Sequence, residues 1–179
     1  MKINEIEIAE ARQAWGEGLI NISSTYDNEG IDKATTLANQ TLDKLYGFEF
    51  GPILFKPTLS GGNQTFRNDK EGTLSYFIGQ NSKYPSDSGF ALKSWTECNS
   101  ETSSLFIEND IAMWMGWVSL TNQNGEIVKV DKSWGYKRSS SGFLKIVLHH
   151  SSLPYQGYFY FFSIFISDSI GFPFIVNES

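Results

Sequence analysis

One cysteine, two histidines and 14 basic residues in a chain of 179 exclude several common chemistries. Cys98 alone cannot close a disulfide within the chain, and a thiolate zinc cluster needs at least two cysteines at short spacing. The two histidines, His149 and His150, are adjacent. On a strand they project to opposite faces and cannot easily chelate one ion together, so no metal site is expected. With 14 Lys+Arg against 20 Asp+Glu, a formal net charge of -6 and no basic cluster, the chain lacks the phosphate-neutralising surface on which nucleic-acid binding rests. A secretory leader is missing too: Met1-Lys2-Ile3-Asn4-Glu5 opens directly into a charged amphipathic pattern. The expected compartment is the cytoplasm, or the periplasm or an organelle if a leader has been removed. Charge is scarce from Leu153 to Val176, where Asp168 stands alone. Pro154, Gln156, Ser163, Asp168 and Pro173 nevertheless break up the apolar length of roughly 20 residues that a bilayer demands, so no membrane span is expected.

What is present is aromatic and apolar. Hydrophobic residues make up 40% of the chain and aromatics 15%, with 14 Phe, 8 Tyr and 5 Trp. This suits an α+β fold in which helices cover a broad sheet, since aromatics are favoured on pleated surfaces. Asn4 and Glu7 have capping-box spacing, and Ile8, Ala11, Trp15, Leu19, Ile22 and Tyr26 recur at three- and four-residue steps as a long first helix. Asp27-Asn28-Glu29-Gly30 ends it. Ile31, Ala34, Ala38, Thr41 and Leu45 trace a second helix that stops by Gly47. Ile53 to Thr58 reads as a short strand that Pro57 confines to an edge or a terminus. Asp69 to Gly79 reads as a third helix. Segments 89–98, 104–107, 111–121, 126–137 and 142–152 then read as consecutive antiparallel strands, with Asn124-Gly125 the best hairpin signal. Helices followed by a curved meander are the order of a cone-shaped fold with a pocket at its mouth. Residues 1–155 form one domain in this reading. Residues 156–179 are an aromatic-rich tail, an extra strand or a poorly ordered appendage with the composition of an aggregation hazard.

The last predicted strand ends in His149-His150-Ser151-Ser152-Leu153-Pro154, an unusual place for two imidazoles and two hydroxyls. Strict alternation puts Phe143, Lys145, Val147, His149 and Ser151 on one face and Leu144, Ile146, Leu148, His150 and Ser152 on the other. His149 and Ser151 are then neighbours able to hold a water, an anion or a small carbonyl compound. Together with Leu54-Phe55-Lys56-Pro57-Thr58, Leu74-Ser75-Tyr76-Phe77, Gly89-Phe90-Ala91 and Ala112-Met113-Trp114-Met115-Gly116, this terminus resembles the iota-class carbonic anhydrases. That family has the association-domain fold of calcium/calmodulin-dependent kinase II, within the nuclear transport factor 2-like (cystatin-like) superfamily. The resemblance runs from about the first helix to Tyr155.

The resemblance implies an α+β cone of N-terminal helices on a curved antiparallel sheet and the reversible hydration of CO2 to bicarbonate. It implies a metal-free mechanism, although other members of the class have been assigned zinc or manganese dependence. The family's substrate-holding positions carry over to Thr58, Tyr76, His149 and Ser151. In the expected chemistry the Thr58, Tyr76 and Ser151 hydroxyls hold the water and the nascent bicarbonate, and His149 orients a hydroxyl or passes a proton. Two other readings stand beside it. An isomerase or dehydratase of the same shape would want an Asp or Glu meeting His149 in space. A non-enzymatic oligomerisation domain would fill the pocket with apolar side chains. A homodimer through the exposed face of the sheet fits all three. His150 is expected to be structural or interfacial, Trp95, Trp114, Trp117 and Trp134 to be core or interface, and Arg67 and Lys93 to be ordinary surface charges.

Overall fold

A computed structural model describes residues 2–155; the predicted tail at 156–179 lies outside the described residues. Three helices pack on a five-stranded sheet. The first, α1 (Glu5–Glu29), starts at a complete capping box, with the Asn4 side chain accepting from the Glu7 N–H and the Glu7 carboxylate accepting from the Asn4 N–H. Ile8, Trp15, Leu19 and Ile22 are buried at the predicted spacing. α2 (Ile31–Leu45) folds back along it and buries Ala34, Ala38, Leu42 and Leu45. Gly16 and Gly18 in the middle of α1 each forgo about 1 kcal/mol of helix propensity. The reason is close approach: a Cβ on Gly16 would lie 2.8 Å from Cys98 Sγ, and one on Gly18 2.7 Å from Thr41 Cγ2.

The sheet has the order β1-β5-β4-β3-β2. β1 is Leu54–Lys56, β2 Trp95–Glu108, β3 Ile111–Asn122, β4 Ile127–Arg138 and β5 Leu144–Ser152. β2 to β5 form an antiparallel meander, but β1 enters beside β5 in parallel, pairing Phe55 with His149. Pro57 donates nothing to a ladder, so the pairing ends there and Thr58 turns off the strand. A short helix, α3 (Lys70–Ile78), follows, started by the Asp69 carboxylate accepting from the Gly72 N–H.

Three details differ from the sequence reading. The two strands expected at 89–98 and 104–107 are one strand, β2, preceded by a 3-10 turn at Phe90–Leu92. Register shifts at Trp95/Glu97 and Thr102/Ser104 break its apolar pattern, which is why it read as two. Strict alternation along β5 also fails. Its pairing with β4 shifts between Gly135 and Tyr136, leaving Val147 as an extra residue, so Ile146 is buried on the same face as His149 and Ser151. Arg67 is not a surface charge. It is 1% exposed, pairs with Asp87 at 2.8 Å and lies over the Tyr84 ring. Asp87 also accepts from Ser75 Oγ, so this buried pair ties the 79–89 loop to α3.

Trp95, Trp114 and Trp134 lie in the core, whereas Trp117 stands on the outward face of β3. His150 also points outward and is exposed, with Ser152 Oγ 3.3 Å from its Nε2.

Candidate active site

Four elements converge under the helices. β1 delivers Phe55 and then Thr58, α3 delivers Tyr76 and Phe77, β4 delivers Lys132 and Trp134, and β5 delivers His149 and Ser151. A narrow cleft, closed down so that it holds no water-sized void, lies between them, with Thr58, Tyr76, Lys132, His149 and Ser151 among its lining residues. All four residues expected from the sequence therefore share one cleft. Larger grooves lie elsewhere, one of them between α1, the end of α2 and the start of β5, but that groove is mainly apolar and holds none of these groups.

Thr58 Oγ1 and Ser151 Oγ are 2.6 Å apart and share one hydrogen. The Lys56 ammonium donates to the Ser151 carbonyl at 3.0 Å, fixing the strand end from the other side. Tyr76 is buried beside Thr58 and Leu59, yet its hydroxyl makes no hydrogen bond of adequate geometry within the described chain. Burial pushes its pKa up to about 12, tempered by the neighbouring Leu59 and Thr58, so it keeps its proton. A buried hydroxyl left with a free proton in a cleft is a donor waiting for a ligand or a water.

His149 is 2% exposed and stacks on Phe55 at 4.6 Å, with the Trp15 ring edge-on at 5.5 Å and Trp134 at 5.4 Å. Both ring nitrogens are engaged: Nδ1 lies 2.8 Å from Tyr46 Oη and Nε2 lies 2.9 Å from Lys132 Nζ. Burial, then the charges of Lys132 and His150, hold its pKa well below the usual imidazole range. At neutral pH the ring is uncharged. Tyr46 is itself held by Trp15 Nε1, which donates to its oxygen at 3.1 Å. The sequence reading missed Lys132, Tyr46 and Trp15. For Lys132 a signal existed: Val130, Lys132, Trp134 and Tyr136 alternate along β4, and period two places a lysine on the apolar face.

Neither of the two alternative readings meets its own criterion among the described residues. No carboxylate among the described residues pairs with His149, so the acid–imidazole dyad of an isomerase or dehydratase is not formed. The cleft has aromatic walls but keeps three hydroxyls and an amine at its lining, unlike the apolar plug expected of a purely assembling domain.

Residues 6–153 match the model of a protein family described as metal-independent carbonic anhydrase. The chain belongs to that family. It is 44% identical over 154 residues to the metal-independent carbonic anhydrase of Nostoc sp. (strain PCC 7120), covering 86% of this chain and 75% of that protein. It is also similar to the crystal structure of an iota-carbonic anhydrase from a cyanobacterium complexed with bicarbonate. There the TM-score is 0.86 at 44% identity, over 87% of this chain and 94% of that one. A calcium/calmodulin-dependent kinase II association domain from Xanthomonas campestris has a TM-score of 0.52 at 19% identity, over 82% and 85% of the two chains, a likeness of fold alone. The metal-independent carbonic anhydrase family thus carries the α+β fold and the chemistry that the resemblance implied.

Proposed function

We propose that this cleft hydrates CO2 reversibly to bicarbonate without a metal, with Thr58, Tyr76 and Ser151 holding the water and the nascent anion. The observation that carries the reading is the short Thr58–Ser151 hydroxyl pair facing the unsatisfied Tyr76 hydroxyl in a buried cleft. Membership of the family and similarity to a structure solved with bicarbonate support it. Hydration places negative charge on an oxygen of CO2 as the C–O bond forms. Where a zinc ion would lower the pKa of its bound water to about 7, three preoriented hydroxyls in a water-poor site stabilise that charge through hydrogen bonds, which are stronger there than in bulk water. In this proposal His149 acts through its neighbours, since both of its nitrogens are already engaged.

The test is stopped-flow CO2 hydration with Thr58→Val and Ser151→Ala. Each variant should lose about 10²- to 10³-fold in kcat, the loss found when one oxyanion donor is removed. Wild-type rates in both would remove these hydroxyls from the reaction. We further propose a homodimer formed through the outward face of the sheet, where Met113, Met115, Trp117 and Phe106 are exposed side by side on β3 and β2.

A further inference from the structure

Hydration releases a proton, and the hydroxyls of the cleft cannot keep it. Thr58 and Ser151 do not ionise near neutrality, Tyr76 already carries its proton, and His149 has both nitrogens engaged in a site that disfavours its cation. Among the residues that line the cleft, Lys132 is the remaining basic group. It is 2% exposed, and among the described residues no carboxylate pairs with it, although buried lysines are ordinarily paired. Its one side-chain hydrogen-bond partner among the described residues is His149 Nε2, and its Nζ lies over the Trp15 ring at 4.6 Å and the Trp134 ring at 5.5 Å. In the β4–β5 ladder Lys132 stands directly opposite Ser151, and both side chains face inward. Lys132 also lines the cleft together with Thr58 and Ser151, so the amine and the hydroxyl pair border the same space.

We propose that Lys132 is the general base of the hydration step and the cation against which bicarbonate forms. The inference rests on the CO2-hydrating reading of this cleft. The lone pair of neutral Nζ takes a proton from water as the water oxygen bonds to the carbon of CO2, and one C=O π pair moves onto oxygen. Amine, water and CO2 become ammonium and bicarbonate, so atoms and charge balance. The ammonium then gives its proton to solvent buffer as bicarbonate leaves. His149 positions Nζ. An ammonium must donate to an unprotonated Nε2, which places the imidazole hydrogen on Nδ1, toward the Tyr46 oxygen that also accepts from Trp15.

The surroundings permit both protonation states. Burial lowers the Lys132 pKa to about 7, opposed by Cys98 on β2 and Asp131 on β4. The helices contribute aromatic rings and the phenols of Tyr46 and Tyr76, which are uncharged at neutral pH, and β5 contributes the neutral His149.

The experiment measures CO2 hydration against pH for wild type, Lys132→Met and Lys132→Arg, with thermal melts alongside, and follows the Lys132 Nζ resonance of the wild type by NMR. The wild-type rate should rise through a single pKa near 7. Both variants should lose about 10²- to 10⁴-fold and lose that pH step, Lys132→Arg because a guanidinium cannot be deprotonated in this range. Added bicarbonate should raise the Nζ pKa in the wild type, a readout that needs no variant to fold. A folded Lys132→Met with wild-type rate, or an Nζ titration unmoved by saturating bicarbonate, would overturn the assignment while leaving an active wild type as evidence for the function. An inactive wild type would instead remove the CO2-hydrating reading itself.

Discussion

Thr58, in the turn after β1, and Ser151, on β5, are distant in sequence, yet their oxygens lie 2.6 Å apart and one donates to the other. That pair, Tyr76 and the His149–Lys132 couple are the groups proposed to act in the cleft, and the ionisation of His149 and Lys132 sets a testable pH dependence of stability. Both His149 and Lys132 have folded-state pKa values below their ordinary ones, so the unfolded chain binds more protons than the folded one. Stability should fall as pH drops through 6.5, where the unfolded imidazole charges, and should rise with pH between about 7 and 10.5, where only the unfolded lysine stays charged. Urea midpoints measured across this range check it, and a Lys132→Met protein should lose the alkaline part of the slope. The His149 and Ser151 pairing on one face was legible in the sequence because their separation of two is the period of a strand. Lys132 was not read as a site residue, since a lysine in a strand is ordinarily solvated and its inward position depends on the phase of its neighbours.

At the scale of elements, the site depends on how α3 is held. Arg67 and Asp87, 1% and 4% exposed at their side chains, form a buried pair that also binds Ser75 one residue before Tyr76. Asp87→Ala leaves a buried guanidinium uncompensated and should destabilise the protein by about 3–5 kcal/mol, as read by chemical denaturation. Asn4→Ala removes one half of the α1 capping box and should cost about 1 kcal/mol in the same measurement. The helices and the hairpin turn were legible because caps, 3.6-residue spacing and Asn-Gly turns are local signals. The parallel entry of β1 beside β5, the Val147 irregularity and the continuity of β2 were not. Each is decided by which strand supplies the neighbouring hydrogen bonds, information that no local window contains.

At the scale of the whole molecule, one face of the sheet is covered by helices and encloses the cleft, while the other exposes a stripe of apolar side chains. Exposed stripes of this kind mark association surfaces, and a two-fold dimer is the simplest closed solution. Sedimentation analysis should give twice the chain mass for the wild type and the chain mass for Met115→Glu; a wild-type monomer would contradict the proposed assembly. The proposed chemistry lies in the cleft on the covered face, which draws its lining from α1, β1 and the turn after it, α3, the turn before β2, β4 and β5. The most direct test of that chemistry is CO2 hydration by protein dialysed against chelator, with metal content determined on the same sample. Catalysis retained with no metal bound is the predicted result; activity that vanishes and returns only with zinc or manganese would contradict it.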